Sequence, residues 1–208
     1  MEFKEFDKEK MKEELRNDVY NLVYINYEKE NGIKIFISTG RMYAATLPYL
    51  KQLGITTPVI TYNGGKIVDP STSETLYENP VTEETVKRVI EVSRETGIHL
   101  NLYSDDKLYV ENETSEGKAY AEKTGLKYIT VNFDEFIGKT STKALFLGEN
   151  KKLLKLKEEL EKELPRSIFV FSQPTYLEVL NRDVSKGKAV KELMDKYGFS
   201  EDEVMTFG

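Results

Sequence analysis

Two short, nearly unbroken apolar runs constrain this chain most: Ile33–Ser38 (IKIFIS) and Pro58–Tyr62 (PVITY). A strand with one face in water alternates apolar and polar residues. A strand that is apolar throughout is covered on both faces, as in parallel sheets flanked by helices. Between the two runs lie Thr39-Gly40-Arg41 and a helical stretch to about Leu53, stopped by Gly54. Strand, helix and strand in that order imply a parallel pair with a right-handed crossover, and so a doubly wound α/β layer. The second run breaks at Asn63-Gly64-Gly65, a turn-forming triplet.

The middle of the chain has a different texture. Thr82 caps a helix with Val86, Val89 and Ile90 on one face and Gly97 as its stop. Ile98, Leu100 and Leu102 then alternate with His99, Asn101 and Tyr103, the pattern of a half-exposed antiparallel strand. Asp105-Asp106 turns it into a second strand, Leu108–Glu111. A helix over Ser115–Lys123, strands at Lys127–Val131 and Lys143–Leu147, and a helix carrying Leu153, Leu156, Leu160 and Leu164 follow. Strands at Ile168–Phe171 and Tyr176–Leu180 complete an α+β unit expected to span residues 81–180. After it the first texture returns, with an amphipathic helix over Lys186–Tyr197 and a buried strand expected at Val204–Phe207. The expected architecture is an α/β core (1–80 and 181–208) interrupted by an inserted α+β domain (81–180). The charged opening stretch gives two readings: a helix over Lys8–Glu30, or a strand within Val19–Tyr27.

Composition removes several function classes. The chain has 208 residues, no cysteine and one histidine, His99. Thiol catalysis, cysteine-ligated metals, disulfide scaffolds and His-rich metal sites are therefore excluded. A net charge of −6 on a mixed surface disfavours nucleic acid as a partner. No apolar run approaches the ~18 residues of a membrane span, and Met1–Arg16 is too charged for a signal peptide. A cytoplasmic protein is expected.

Two local features can carry chemistry. Thr39-Gly40-Arg41, at a strand's carboxyl end before a helix, can form a phosphate-binding corner. Helix N-terminal N–H groups, the Thr39 hydroxyl, close approach at Gly40 and the Arg41 charge would all favour an anion there. Equally, Thr39 can simply cap the helix. The second feature is Ser185-Lys186-Gly187-Lys188 at a helix start. A lysine in the first turn opposes the helix dipole unless an anion sits nearby. Either Lys186 neutralises a bound phosphate, or this is a solvated helix start capped by Ser185. A nucleotide-binding Rossmann reading lacks its Gly-x-Gly-x-x-Gly loop.

The order ISTGRMYAATLPYLKQLG, PVITYNGG, HLNLYSDDKLYVE, PTYLEVLNRDVSKGKAVKELMDKYG and VMTFG resembles the Cof-type phosphatases, class IIB of the haloacid dehalogenase (HAD) superfamily. The resemblance covers about Gly32 to Gly208. It implies a HAD-like Rossmann core with an inserted α+β cap domain. It further implies Mg²⁺-dependent hydrolysis of a small phosphorylated metabolite, a sugar or cofactor phosphate, through an aspartyl-phosphate. On the family pattern, Thr39 binds phosphoryl oxygens and Lys186 stabilises phosphoryl charge. Gly40, Arg41, Asn63 and Gly64 line the substrate site.

Two departures from the family are visible. The Asp-x-Asp-Gly-Thr motif is absent. Counting back without gaps sets Glu5 in the nucleophile position and Asp7 in the acid/base position. A solvated helix-start carboxylate is the competing reading of Asp7. The acidic loop that follows the final Phe-Gly in the family is not in this sequence either, so no intact metal site is expected. These departures fit a truncated or misread form with little activity, or a module that binds a phosphometabolite without hydrolysing it. Asp105 and Asp106 are expected in a turn or in substrate specificity.

Overall fold

The computed structural model describes residues 32–207. The expected helix or strand within the first thirty residues, Glu5 and Asp7 lie outside the described residues. From Ile33 the chain runs extended towards Thr39, then forms helix α1 (Tyr43–Gln52) and strand β1 (Val59–Thr61). Residues 37–39 run parallel to β1. Ile60 N donates to the Ile37 carbonyl at 2.8 Å and Thr39 N to the Ile60 carbonyl at 2.9 Å.

β1 behaves as its sequence predicts. Val59, Ile60 and Thr61 are all buried. Val59 packs with Tyr43 and Leu50 of α1. Ile60 packs on the opposite face with Ala189 and Leu193 of a later helix. The Ile33–Ser38 run departs from expectation. It pairs through a single bridge, Ser38 to Ile60, and Ile33 is 53% exposed. Among the described residues no strand pairs with its other edge, so it lacks the neighbour that would bury its second face. The same reason applies to Val204–Phe207, expected as a buried strand. It is irregular, with Met205 and Phe207 exposed.

After the Asn63-Gly64 turn, β1 is extended into an antiparallel meander by β2 (Lys66–Val68) and β3 (Thr75–Glu78). Sequence reading missed this hairpin. Its signal was present in the short apolar pair Ile67-Val68 before Asp69-Pro70-Ser71.

The rest is a six-stranded sheet in the order β6-β5-β4-β7-β9-β8. In chain order its elements are α2 (Glu83–Thr96), β4 (His99–Ser104), β5 (Lys107–Val110), α3 (Ser115–Thr124) and β6 (Tyr128–Thr130). Then come β7 (Lys143–Leu147), α4 (Asn150–Glu163), β8 (Ser167–Gln173), β9 (Tyr176–Asn181) and α5 (Lys186–Tyr197). β5 and β6 run parallel and the remaining neighbours antiparallel. The helix ends follow local chemistry. Thr82 accepts from Thr85 N, and Gly97 closes α2 in the left-handed conformation. Ser185 and Gly198 do the same for α5.

One face of the large sheet buries Leu100, Leu102, Phe146 and Val179 against α2 and α4. The expectation of a half-exposed β4 is corrected here, because its other face is also buried. His99, Asn101 and Tyr103 are all under 9% exposed. α3 lies over His99, and Tyr103 packs with Tyr62, Met42 and Tyr120. A second layer therefore covers the face that its polar residues suggested would meet water. Tyr62 and Tyr103 meet edge to face with centroids 6.0 Å apart, joining the two sheets at the end of β1.

Candidate functional site

Three segments remote in sequence converge at the carboxyl end of β1. The first is Thr39-Gly40-Arg41, and the second is Tyr62-Asn63-Gly64. Asn63 N donates to the Thr39 carbonyl at 3.1 Å and Tyr62 N to the Arg41 carbonyl at 3.0 Å. The third is Ser185-Lys186, at the start of α5. A Cβ on Gly64 would lie 2.3 Å from the Ser185 carbonyl oxygen and 2.9 Å from Lys186 N. Glycine is thus required at 64 twice over, by this contact and by a φ of +100°. Gly40 is in similar contact with the Asn63 side chain, since a Cβ there would sit 2.5 Å from Asn63 Oδ1.

The reading of Thr39 as a helix cap does not hold. α1 starts at Tyr43 and its N-cap residue is Met42, which makes no side-chain cap bond. The Thr39 hydroxyl instead accepts from Arg41 N at 3.2 Å, shaping the loop ahead of the helix. The Arg41 guanidinium stacks over Tyr49, 5.6 Å from its ring centre. Ser185 is the N-cap of α5, and Lys186 is its first residue and exposed. No acidic side chain stands in that first turn.

The turn at 62–64 is anchored by two carboxylates of the large sheet. Asp106, at the β4–β5 hairpin tip, accepts from the Tyr62 hydroxyl at 3.0 Å and from Tyr43 N at 2.9 Å. It thereby supplies the acidic N-terminal group that α1 lacks in its own first turn. Both hairpin-tip residues have positive φ, 49° at Asp105 and 55° at Asp106, a conformation that aspartate tolerates. The turn expected there is present. Glu178 of β9 accepts from Asn63 Nδ2 at 2.9 Å and stands 3.6 Å from Lys143 Nζ. Burial pushes the Lys143 pKa down, and the Glu178 carboxylate opposes that shift. Sequence reading singled out neither Glu178 nor Lys143. The available signal was an acid inside the apolar strand YLEVLN and a lysine opening KALFL.

Burial raises the Asp106 carboxyl pKa, against the Tyr62 hydroxyl, the Ala44 and Tyr43 N–H groups and the Lys66 charge. The folded state thus holds this proton more tightly than the unfolded chain does. The group's contribution is full below the unfolded pKa of about 3.9 and declines as pH rises through the folded value. Asp106→Asn keeps an acceptor without the charge. It should match or exceed the parent's stability at neutral pH and lose that advantage in acid. Asp106→Ala leaves two donors unpaired and should cost about 2 kcal/mol. Urea melts at about pH 4 and about pH 8 test both, and equal effects of Asn and Ala would contradict the account.

Mg²⁺ needs hard oxygen ligands, normally one or two carboxylates beside the substrate's own oxygens. Among the described residues no group of three His, Asp or Glu could hold a metal ion. The carboxylates tied to the corner are already engaged, Asp106 by Tyr62 and Tyr43 N and Glu178 by Asn63 and Lys143. The described residues do not fit a magnesium site. Among them no helix is long and apolar enough to cross a membrane.

A protein from Streptococcus pyogenes serotype M6 is 28% identical over 205 residues, covering 93% of this chain and 74% of its own length. An HMP-PP phosphatase from Yersinia pseudotuberculosis serotype O:1b is 26% identical over 178 residues, covering 85% of this chain and 65% of its own length. The crystal structure of a haloacid dehalogenase-like hydrolase from Bacteroides thetaiotaomicron superposes with a TM-score of 0.82 at 23% identity, covering 92% of this chain and 74% of that one. The fold is thus mixed α/β with the Rossmann-like core of HAD hydrolases. The family profile extends upstream of Gly32, where the motif resemblance began. Because it matches residues 12–208 and the motif-bearing segments meet at one corner, the chain belongs to the haloacid dehalogenase-like hydrolases.

Proposed function

We propose that this chain binds a small phosphorylated metabolite at the corner formed by Thr39, Asn63 and Lys186. One observation carries the reading: residues 39–41, 62–64 and 185–186 meet in backbone contact although they lie far apart in sequence. The close approach at Gly64 brings the start of α5, with a lysine and no acidic residue in its first turn, against the Asn63-Gly64 turn. In this reading the Thr39 hydroxyl donates to a phosphoryl oxygen, and Gly40 lets the backbone approach the group. The Lys186 ammonium balances its charge, with Arg41, Asn63 and Gly64 around the mouth. Residues 81–180 form the cap that selects the substrate, and the described parts of 1–80 and 181–208 form the core. The setting is cytoplasmic and the ligand a sugar or cofactor phosphate.

The reaction class is phosphate monoester hydrolysis. A carboxylate oxygen bonds to phosphorus as the ester oxygen leaves and takes a proton. Water then cleaves the acyl phosphate and restores the carboxylate. The opening stretch offers Glu5 and Asp7 in place of the family's Asp-x-Asp-Gly-Thr. Turnover by this chain is therefore slow, and the second reading is a binding module that holds the ester intact. That second reading is favoured by the engagement of Asp106 and Glu178 with other partners.

Calorimetry with inorganic phosphate and glucose 6-phosphate tests binding. Lys186→Ala and Thr39→Val should each weaken it by about tenfold or more, the loss of one charge-assisted contact. Absence of millimolar binding by the parent chain would refute the reading. Hydrolysis of p-nitrophenyl phosphate with added Mg²⁺ separates the two alternatives. Ordinary turnover that disappears in Asp7→Asn would assign the nucleophile region to the opening stretch.

A further inference from the structure

We infer that Glu178 is a positioning residue for the phosphate corner, acting through the side-chain amide of Asn63 and charge-balanced by Lys143. The inference deepens the reading of this corner as a phosphoryl site and rests on it. Glu178 lies on β9 between Leu177 and Val179 and is 8% exposed. A buried carboxylate persists where partners compensate it. Here they are Asn63 Nδ2 at 2.9 Å and Lys143 Nζ at 3.6 Å. Leu145 is the direct partner of Glu178 across β7 and β9, so Lys143 is its diagonal neighbour on the same face. The Lys143 ammonium also lies 4.9 Å from the centre of the Tyr103 ring.

Asn63 Nδ2 donates to Glu178 Oε2, which settles the orientation of the amide. Nδ2 of Asn63 faces Glu178, and Oδ1 therefore faces Gly40 in the corner. The turn it belongs to needs holding. Tyr62, Asn63 and Gly64 have φ of 51°, 60° and 100°, three successive residues with positive φ. Such backbone survives where its surroundings over-determine it. Thr39 and Arg41 hold it from one side and Ser185 from another. Glu178 holds it from the large sheet. β9 itself does not need the carboxylate, because its pairing with β7 and β8 runs through the backbone.

The test removes the charges together, so that no unpaired ammonium is left buried. Lys143→Met with Glu178→Gln keeps an acceptor for Asn63, and Lys143→Met with Glu178→Leu removes it. Two readouts on the full chain are compared: amide hydrogen exchange over residues 61–66, and affinity for inorganic phosphate. The Met/Leu pair should speed exchange at the turn and weaken phosphate binding by about tenfold each, with β7 and β9 unchanged. The Met/Gln pair should stay within about threefold of the parent in both. Parent-like exchange at the turn in Met/Leu, or equal effects of the two pairs, would overturn the inference. If the parent binds no phosphate but exchange still separates the pairs, the positioning role stands and the phosphate reading fails. Should either pair not fold, Asn63→Gly leaves the ion pair intact and removes the amide. It should weaken phosphate binding by about tenfold, and parent-like affinity would overturn the inference.

Discussion

Gly64→Ala is expected to destabilise the chain by about 3 kcal/mol or more and to abolish the proposed phosphate binding, because strain and overpacking act at one position. The new methyl would meet the Ser185 carbonyl oxygen at 2.3 Å, and that atom is backbone, so no side chain can rotate away. Relief requires either the Asn63-Gly64 turn or the start of α5 to move. Either movement shifts the start of α5, and Lys186 with it, relative to the Asn63-Gly64 turn. A φ of +100° adds strain for any residue with a Cβ. The matched control is Gly187→Ala, the second residue of α5, where an added Cβ meets nothing within 4 Å. That change should be neutral or stabilising by up to about 1 kcal/mol, since alanine is the better helix former. Urea denaturation and phosphate calorimetry on both variants decide the matter. A Gly64→Ala chain as stable as the control would mean that the close approach is wrong.

The second large effect is expected at the centre of the six-stranded sheet. Phe146 is fully buried on β7, between β4 and β9, in the cluster formed with α2 and α4. Phe146→Ala should cost about 3–5 kcal/mol, the lost transfer free energy plus the cavity that two flanking strands cannot close. Val170, on the edge strand β8, is 43% exposed. Val170→Ala should change stability by less than about 1 kcal/mol. Comparing the two by urea melts tests whether the core sits where the packing indicates. A small effect at Phe146 would show that the sheet and its helices collapse to fill the space.

Legibility from sequence differed by element, and the difference has a physical origin. The ends of α2 and α5 were readable because capping is local. Thr82 reaches Thr85 N and Ser185 reaches Lys188 N within one turn, and Gly97 and Gly198 close the helices in a conformation that favours glycine. β1 was readable because a run without polar alternation has no face to give to water, and α1 and α5 cover both its faces. β4 was misread. Its polar positions His99, Asn101 and Tyr103 look like a solvent face until α3 and Tyr62 are laid across them. The Ile33–Ser38 run has the sequence of a strand buried on both sides, yet a strand's burial depends on its neighbours as much as on its residues.

The amino-acid order by itself determined the ends of α2 and α5, the β1 core strand, the Asp105-Asp106 turn and the order of the motifs along the chain. These are properties of residues within a turn or a strand of one another, or of motif order along the chain. Only the tertiary structure decided that Asp106 would bond Tyr62 and that Glu178 would hold Asn63. These contacts span sequence separations of 44 and 115 residues. Such a bond depends on how two sheets dock, and no periodicity or spacing within either segment encodes that distance.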